Sequence, residues 1–200
     1  MSRIFFATRN EGKVDYVRNI LREFDGVRIV HYPLNIPERQ AHSVEDVAKE
    51  KARYAFKEIN NGRDDKTPCM TLDSGLYIPS LKGFPGTLVR TILDTIEVDG
   101  ILRLLAGKAR ECEIRTCVAY WDGNLTDPLV FSARIKGTIA DEPKGETKPY
   151  HWSNLAEVFI PKGLNKTEAE LSEEDYNEWR KRADTCVSSF ARWLRDTSED

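Results

Sequence analysis

The chain has 200 residues, 40% of them hydrophobic and 32% charged, with a net charge of −3. That length predicts one domain able to bury a sizeable core, and the mild acidity argues against non-specific binding to duplex nucleic acid, which wants a basic face, while leaving room for a local basic pocket for a small anion. The opening apolar run, Ile4-Phe5-Phe6-Ala7, is too short for a signal peptide, and nothing approaches the ~18 apolar residues of a membrane span.

The four cysteines, Cys69, Cys112, Cys117 and Cys186, form no CxxC pair. They read as buried, reduced thiols of a cytoplasmic protein, and without paired Cys/His spacing no structural zinc is expected.

In chain order, Ile4–Ala7 reads as a central strand that ends at Thr8-Arg9-Asn10, where Asn10 can cap a helix. Val14, Val17, Ile20, Leu21 and Phe24 then recur at helical spacing, and Val27–Val30 reads as a second strand. Strand, turn, helix, strand is the opening of an α/β fold. A turn-rich loop runs from Tyr32 to Ser43, which caps a second helix with Val44, Val47, Ala48, Lys51, Ala52, Ala55 and Phe56 on one face. Cys69–Leu72 is the next strand and runs into Asp73-Ser74-Gly75.

Leu88, Ile92 and Leu93 predict a further helix, and 98–107 another short one. Residues 111–121 and 129–139 predict an antiparallel pair around Asp122-Gly123-Asn124. Trp179, Ala183, Cys186, Val187, Phe190 and Trp193 keep 3–4 residue steps and predict a closing helix of about 25 residues. Residues 1–195 are expected to form one domain, with 196–200 as an acidic tail.

Four segments place polar residues at the ends of apolar elements, where α/β proteins carry their sites. In Thr8–Lys13 a strand feeds a capped helix, a setting that suits an anionic phosphate, and Lys13 adds charge. Glu38, in Pro37-Glu38-Arg39-Gln40, offers the hard oxygen that Mg²⁺ prefers. Asp73 ends a buried strand and can activate water or hold a metal. The segment 151–182 ends in the basic cluster Arg180-Lys181-Arg182. Taken singly, each also has a plain reading: an ordinary strand–helix turn, a surface glutamate, an Asx-turn, a solvated helix face.

Taken in order, the segments resemble the Ham1 family of inosine/xanthosine triphosphate pyrophosphatases. The matching pieces are Phe6–Lys13, Ile36–Gln40, Lys51-Ala52-Arg53, Asp73–Leu76, Gly83–Gly86 with Arg90, Phe159–Pro161 and Lys166–Leu171, followed by Asn177 and Arg182 at the family's spacing. The resemblance implies an elongated mixed α/β sheet with flanking helices, two lobes around a nucleotide cleft, and a homodimer. It implies Mg²⁺-dependent hydrolysis of nucleoside triphosphates to monophosphate and pyrophosphate, with deaminated purines such as ITP, dITP and XTP preferred. Residue by residue it implies that Lys13 and Lys51 grip phosphates and that Glu38 and Asp73 serve the metal. Asp73 would also activate water. Thr8, Asn10, Ser74 and Gly75 would line the substrate site, and Trp152, Lys181 and Arg182 would meet the base.

Three departures from the family pattern stand out. Leu72 replaces the acid that commonly precedes the aspartate. In ungapped register the family's Trp-Asp-Pro falls on Leu155-Ala156-Glu157, with Trp152 three residues earlier. The family's Ser-His-Arg appears as Arg180-Lys181-Arg182, and Tyr176 replaces a lysine before Asn177. Two altered elements in the base-reading region, beside retained phosphate motifs, predict a changed base preference. The alternative is a catalytically weak nucleotide-binding or regulatory protein on the same fold.

Overall fold

The computed structural model describes residues 2–22, 27–37, 41, 43–183 and 185–197. In chain order the elements are β1 (Ser2–Ala7), α1 (Glu11–Leu21), β2 (Val27–Tyr32), α2 (Val44–Ile59), β3 (Cys69–Tyr77), β4 (Pro85–Gly86), α3 (Val89–Thr95), α4 (Glu97–Leu104), β5 (Glu111–Trp121), β6 (Leu129–Ile139), β7 (Phe159–Pro161), α5 (Glu173–Arg182) and α6 (Cys186–Asp196). Strand neighbours run β2-β1-β3-β5-β6-β7, and β4 pairs with β3. This bears out the expected mixed α/β class. The chain divides into two compact units, residues 1–73, 116–133 and 184–200 in one, and 74–115 and 134–183 in the other.

In the first unit β1 is parallel to both its neighbours, with Phe5 opposite Val30 on β2 and opposite Cys69 on β3. Its crossovers are helices whose starts are fixed by the expected caps. Asn10 Oδ1 accepts the Lys13 amide at 3.0 Å, and Ser43 Oγ accepts the Asp46 amide at 3.1 Å. The apolar stripe of α2, including Val47, Ala48, Ala52 and Ala55, is buried. Helix α6 covers the sheet with Phe190 and Trp193, whose rings lie 5.6 and 5.2 Å from Tyr120 and 5.4 and 5.7 Å from Phe131.

The turn after β5 forms as its sequence predicts. Asp122 Oδ1 accepts the amides of Asn124 and Leu125 at 2.9 and 3.2 Å, and Gly123 takes φ +87°.

The second unit is built on an apolar cluster of Leu76, Ile78, Ile101, Leu105, Ile139, Val158 and Phe159. Strand β7, too short to stand out in the sequence, pairs antiparallel with β6, placing Ile160 opposite Thr138.

The single closing helix expected from the 3–4 residue periodicity is in fact two. Ala183 leaves helical geometry at ψ 130°, and Thr185 opens α6 by accepting the Ser188 amide at 3.1 Å. A capping hydroxyl in mid-pattern starts a new helix while the apolar spacing carries on across the break. Asp196 belongs to α6 and Thr197 is its C-cap, while the rest of the expected acidic tail, 198–200, lies outside the described residues.

All four cysteines are buried, and burial pushes the thiols of Cys69, Cys112 and Cys117 up to about 12. No described helix is long and apolar enough to cross a membrane.

Candidate active site

The chain leaves β1, passes through α1 to β2 on one side, then returns through α2 to β3 on the other. The carboxyl end of β1 therefore lies at a topological switch point, where open α/β sheets bind ligands, while β3 runs on to Tyr77, so that Asp73 stands in mid-strand and not at the strand end expected from the sequence. Five of the expected site residues, Thr8, Asn10, Lys13, Lys51 and Asp73, lie there.

The Thr8–Lys13 turn is held from several directions. The Thr8 amide donates to Tyr32 O at 3.2 Å, and the Asn10 amide donates to Thr8 Oγ1 at 3.1 Å. His31 Nε2 lies 2.9 Å from Thr8 O. Lys13 then reaches across from the first turn of α1 and donates through Nζ to the Leu72 carbonyl on β3 at 3.1 Å.

Lys51 approaches the same strand from α2. It sits on the buried face of that helix, one turn beyond Val47, where a lysine needs a partner. Its Nζ is 2.7 Å from Asp73 Oδ1, with the side chains 20% and 10% exposed. Thr71, on the same side of β3 as Asp73, donates through Oγ1 to Ala48 O at 2.9 Å and pins the strand to the helix. Strand alternation turns Leu72 to the opposite side, where it is buried. The apolar residue at 72 thus leaves the Lys51–Asp73 pair intact.

A cavity of about 250 Å³ opens beside Lys51, also lined by Ile36, Pro37, Glu50, Arg53 and Tyr54. Glu50 and Arg53 of that lining also belong to a second set of charges on α2. Lys49 Nζ binds Asp127 Oδ2 at 2.7 Å, and Arg53 bonds both Glu50 and Asp127. Glu38, the expected metal ligand, lies outside the described residues. Among the described residues there is no group of three or more metal-binding side chains.

The remaining candidates belong to the second unit. Ser74 and Gly75 continue β3. A Cβ on Gly75 would stand 2.8 Å from Gly86 O and 2.9 Å from the Tyr77 ring, so glycine is required there by packing. Lys181 and Arg182 are exposed at the end of α5, and Arg182 Nη2 is 2.7 Å from Glu178 Oε2.

Arg180, read as part of the same surface cluster, is instead 3% exposed. Its guanidinium lies over the rings of Trp152, Trp179 and Tyr176 at 4.6, 4.9 and 5.2 Å, and Nη2 is 3.4 Å from Glu168 Oε1. Trp152 therefore packs against an arginine of its own chain. Leu155 and Ala156, at the register positions of the family's Trp-Asp, are buried in the core of this unit.

Sequence reasoning missed His31 and Glu168. The first reaches Thr8 through the parallel β1–β2 register, and the second meets Arg180 across 12 residues. Neither contact leaves a local sequence signal.

Two lysines and a carboxylate, gathered where β3 runs past the carboxyl end of β1, mark an α/β protein with a charged cluster at a sheet switch point. The Ham1 family pattern matches residues 4–191. A dITP/XTP pyrophosphatase of Thermococcus kodakarensis is 34% identical over 195 residues, covering 97% of this chain and 98% of that protein. An inosine triphosphate pyrophosphatase of Yarrowia lipolytica is 33% identical over 175 residues, covering 87% and 86%. Among solved structures, a Ham1 protein from Coxiella burnetii shares the fold, with a TM-score of 0.80 at 22% identity over 98% of this chain and 100% of that one. The chain belongs to the Ham1 family.

Proposed function

We propose that this chain hydrolyses nucleoside triphosphates to nucleoside monophosphate and pyrophosphate, acting on non-canonical purine nucleotides. The observation that carries this reading is the convergence of Lys13 and Lys51 on Leu72 and Asp73 in the middle of β3. The names of the relatives, dITP/XTP pyrophosphatase and inosine triphosphate pyrophosphatase, support it.

Water attacks the α-phosphorus, the bond to the bridging oxygen breaks, and pyrophosphate leaves. Asp73 accepts the proton of the attacking water. Phosphoryl chemistry of this kind needs positioning and charge neutralisation more than covalent help. Lys13 and Lys51 supply positive charge to the phosphate oxygens, while the Thr8–Asn10 turn offers polar groups beside the start of α1. Lys51 also orients the Asp73 carboxylate before substrate arrives.

Mg²⁺ fits this site. Asp73 is a hard oxygen donor, one of its oxygens is held by Lys51, and Mg²⁺ is commonly bound by one or two carboxylates together with substrate phosphates. Asp73 and Glu38 would hold it, and when bound it neutralises phosphate charge.

In the second unit, Ser74 and Gly75 complete the Asp-Ser-Gly motif, and Trp152, Lys181 and Arg182 recognise the base. Lys181, in the place of the family's histidine, donates to a carbonyl oxygen and accepts nothing, which suits a keto edge. The reading extends to a cytoplasmic homodimer on the family resemblance alone, and light scattering tests the dimer. Pyrophosphate release from a nucleotide panel that includes ITP, XTP and ATP, with and without chelator, tests the activity. Turnover of ITP or XTP that stops with chelator is expected, and nucleotide binding without turnover would instead favour a regulatory protein.

A further inference from the structure

Two of the departures from the family pattern, Tyr176 and Arg180, are in contact with each other, and Arg180 also contacts Trp152. Arg180 Nε donates to Tyr176 Oη at 3.1 Å, and its guanidinium lies 4.6 Å from the Trp152 ring. Tyr176 in turn meets His151 edge-on at 5.0 Å and Tyr150 at 5.3 Å. The ion pair with Glu168 closes the group, with Glu168 5% exposed and Arg180 3%.

Burying two opposite charges forgoes a large solvation energy that an apolar pair of similar size would not, so net stability is a weak reason for it. What such a pair does well is fix one arrangement among several. Here it joins three segments: the 150–152 turn, the 168–170 turn and α5. It also sets the rotational phase of α5. With Arg180 turned inward, the next two residues, Lys181 and Arg182, face outward. A lysine would not substitute, because only the flat guanidinium both stacks on indole and pairs with a carboxylate.

We infer that the Glu168–Arg180 pair is a positioning device for nucleobase recognition, holding the Trp152 indole by one face and fixing the phase at which α5 presents Lys181 and Arg182. This rests on the nucleotide reading above and deepens it. Trp152, Tyr176 and Arg180 form one coupled replacement for the altered family elements.

Binding in an Asp73→Asn background tests this without turnover. Calorimetry compares ITP with inorganic tripolyphosphate, which has no base, before and after adding Glu168→Gln with Arg180→Met. The double change avoids stranding one buried charge. The inference predicts ITP binding weakened about tenfold or more, with tripolyphosphate binding unchanged within about twofold. Equal weakening of both ligands, unchanged ITP binding, or no initial preference for ITP over tripolyphosphate would overturn it.

Arg180→Lys keeps the charge and loses the flat stack, and the same ITP-selective loss is expected. This variant decides the matter if the double variant does not fold. The hydrolytic reading is scored separately, by turnover in the unmodified chain. Selective loss of ITP affinity in a chain that turns over nothing supports this inference while removing that one. Turnover of ITP alongside unaltered affinities does the reverse.

Discussion

Lys51 Nζ donates to Asp73 Oδ1 at 2.7 Å, tying the buried face of α2 to the middle of β3. The lysine both orients the carboxylate and places a positive charge beside it. Lys51→Met should therefore lower kcat for pyrophosphate release by about 10²–10³-fold, the scale on which preorganised electrostatic groups act. Lys51→Arg should recover part of the loss. Steady-state kinetics on ITP check both, and a Lys51→Met enzyme with wild-type kcat would remove Lys51 from the site.

Lys13 is anchored differently, by donation to a backbone carbonyl, that of Leu72. A carbonyl is a weaker partner than a phosphate oxygen, so the ammonium can transfer to substrate. Lys13→Ala should reduce kcat/KM by about 10- to 100-fold, in line with a charged hydrogen bond of about 1.5–3 kcal/mol, with KM carrying most of the change. A change confined to thermal stability would make Lys13 structural.

Gly75 lies where β3 passes the Gly86 carbonyl, and an added methyl would meet that oxygen at 2.8 Å. The contact is with backbone, which cannot rotate away. Gly75→Ala should cost about 1–3 kcal/mol in a denaturation experiment. Loss of activity at unaltered stability would point instead to a direct substrate contact.

His151 is a test by pH. Burial holds its imidazole below the ordinary range, the Glu168 backbone opposes this, and Arg180 lowers it further. Nδ1 accepts the Lys148 amide at 2.9 Å, which a proton there would displace. The unfolded chain takes up the proton near about pH 6.5 and the folded chain only at lower pH. The stability from neutral His151 is thus fully present above about pH 6.5 and is lost as pH falls through the lower folded value. His151→Gln should flatten this part of the melting-temperature profile on the acid side. An unchanged profile would contradict the assignment.

The sequence was most legible where short-range rules govern. The run Ile4–Ala7, the Asn10 cap and the Val14–Leu21 stripe lie within one strand and one helix, and they form as expected. The 3.6-residue spacing across Trp179, Ala183 and Phe190 concealed the break before α6, because periodicity registers burial and not helix continuity. Lys13, Lys51 and Asp73 were readable as motif residues. Their meeting depends on parallel pairing of distant strands, which no local pattern encodes. The solvated-face reading of the basic cluster fails for Arg180 because its partners, Glu168 and Trp152, come from turns outside α5.

The most direct measurement follows the products of ITP hydrolysis by phosphorus NMR, with Asp73→Asn as the control. Pyrophosphate appearing in step with inosine monophosphate, and disappearing in the variant, is the predicted result. Orthophosphate with inosine diphosphate, or undiminished turnover by Asp73→Asn, would contradict it.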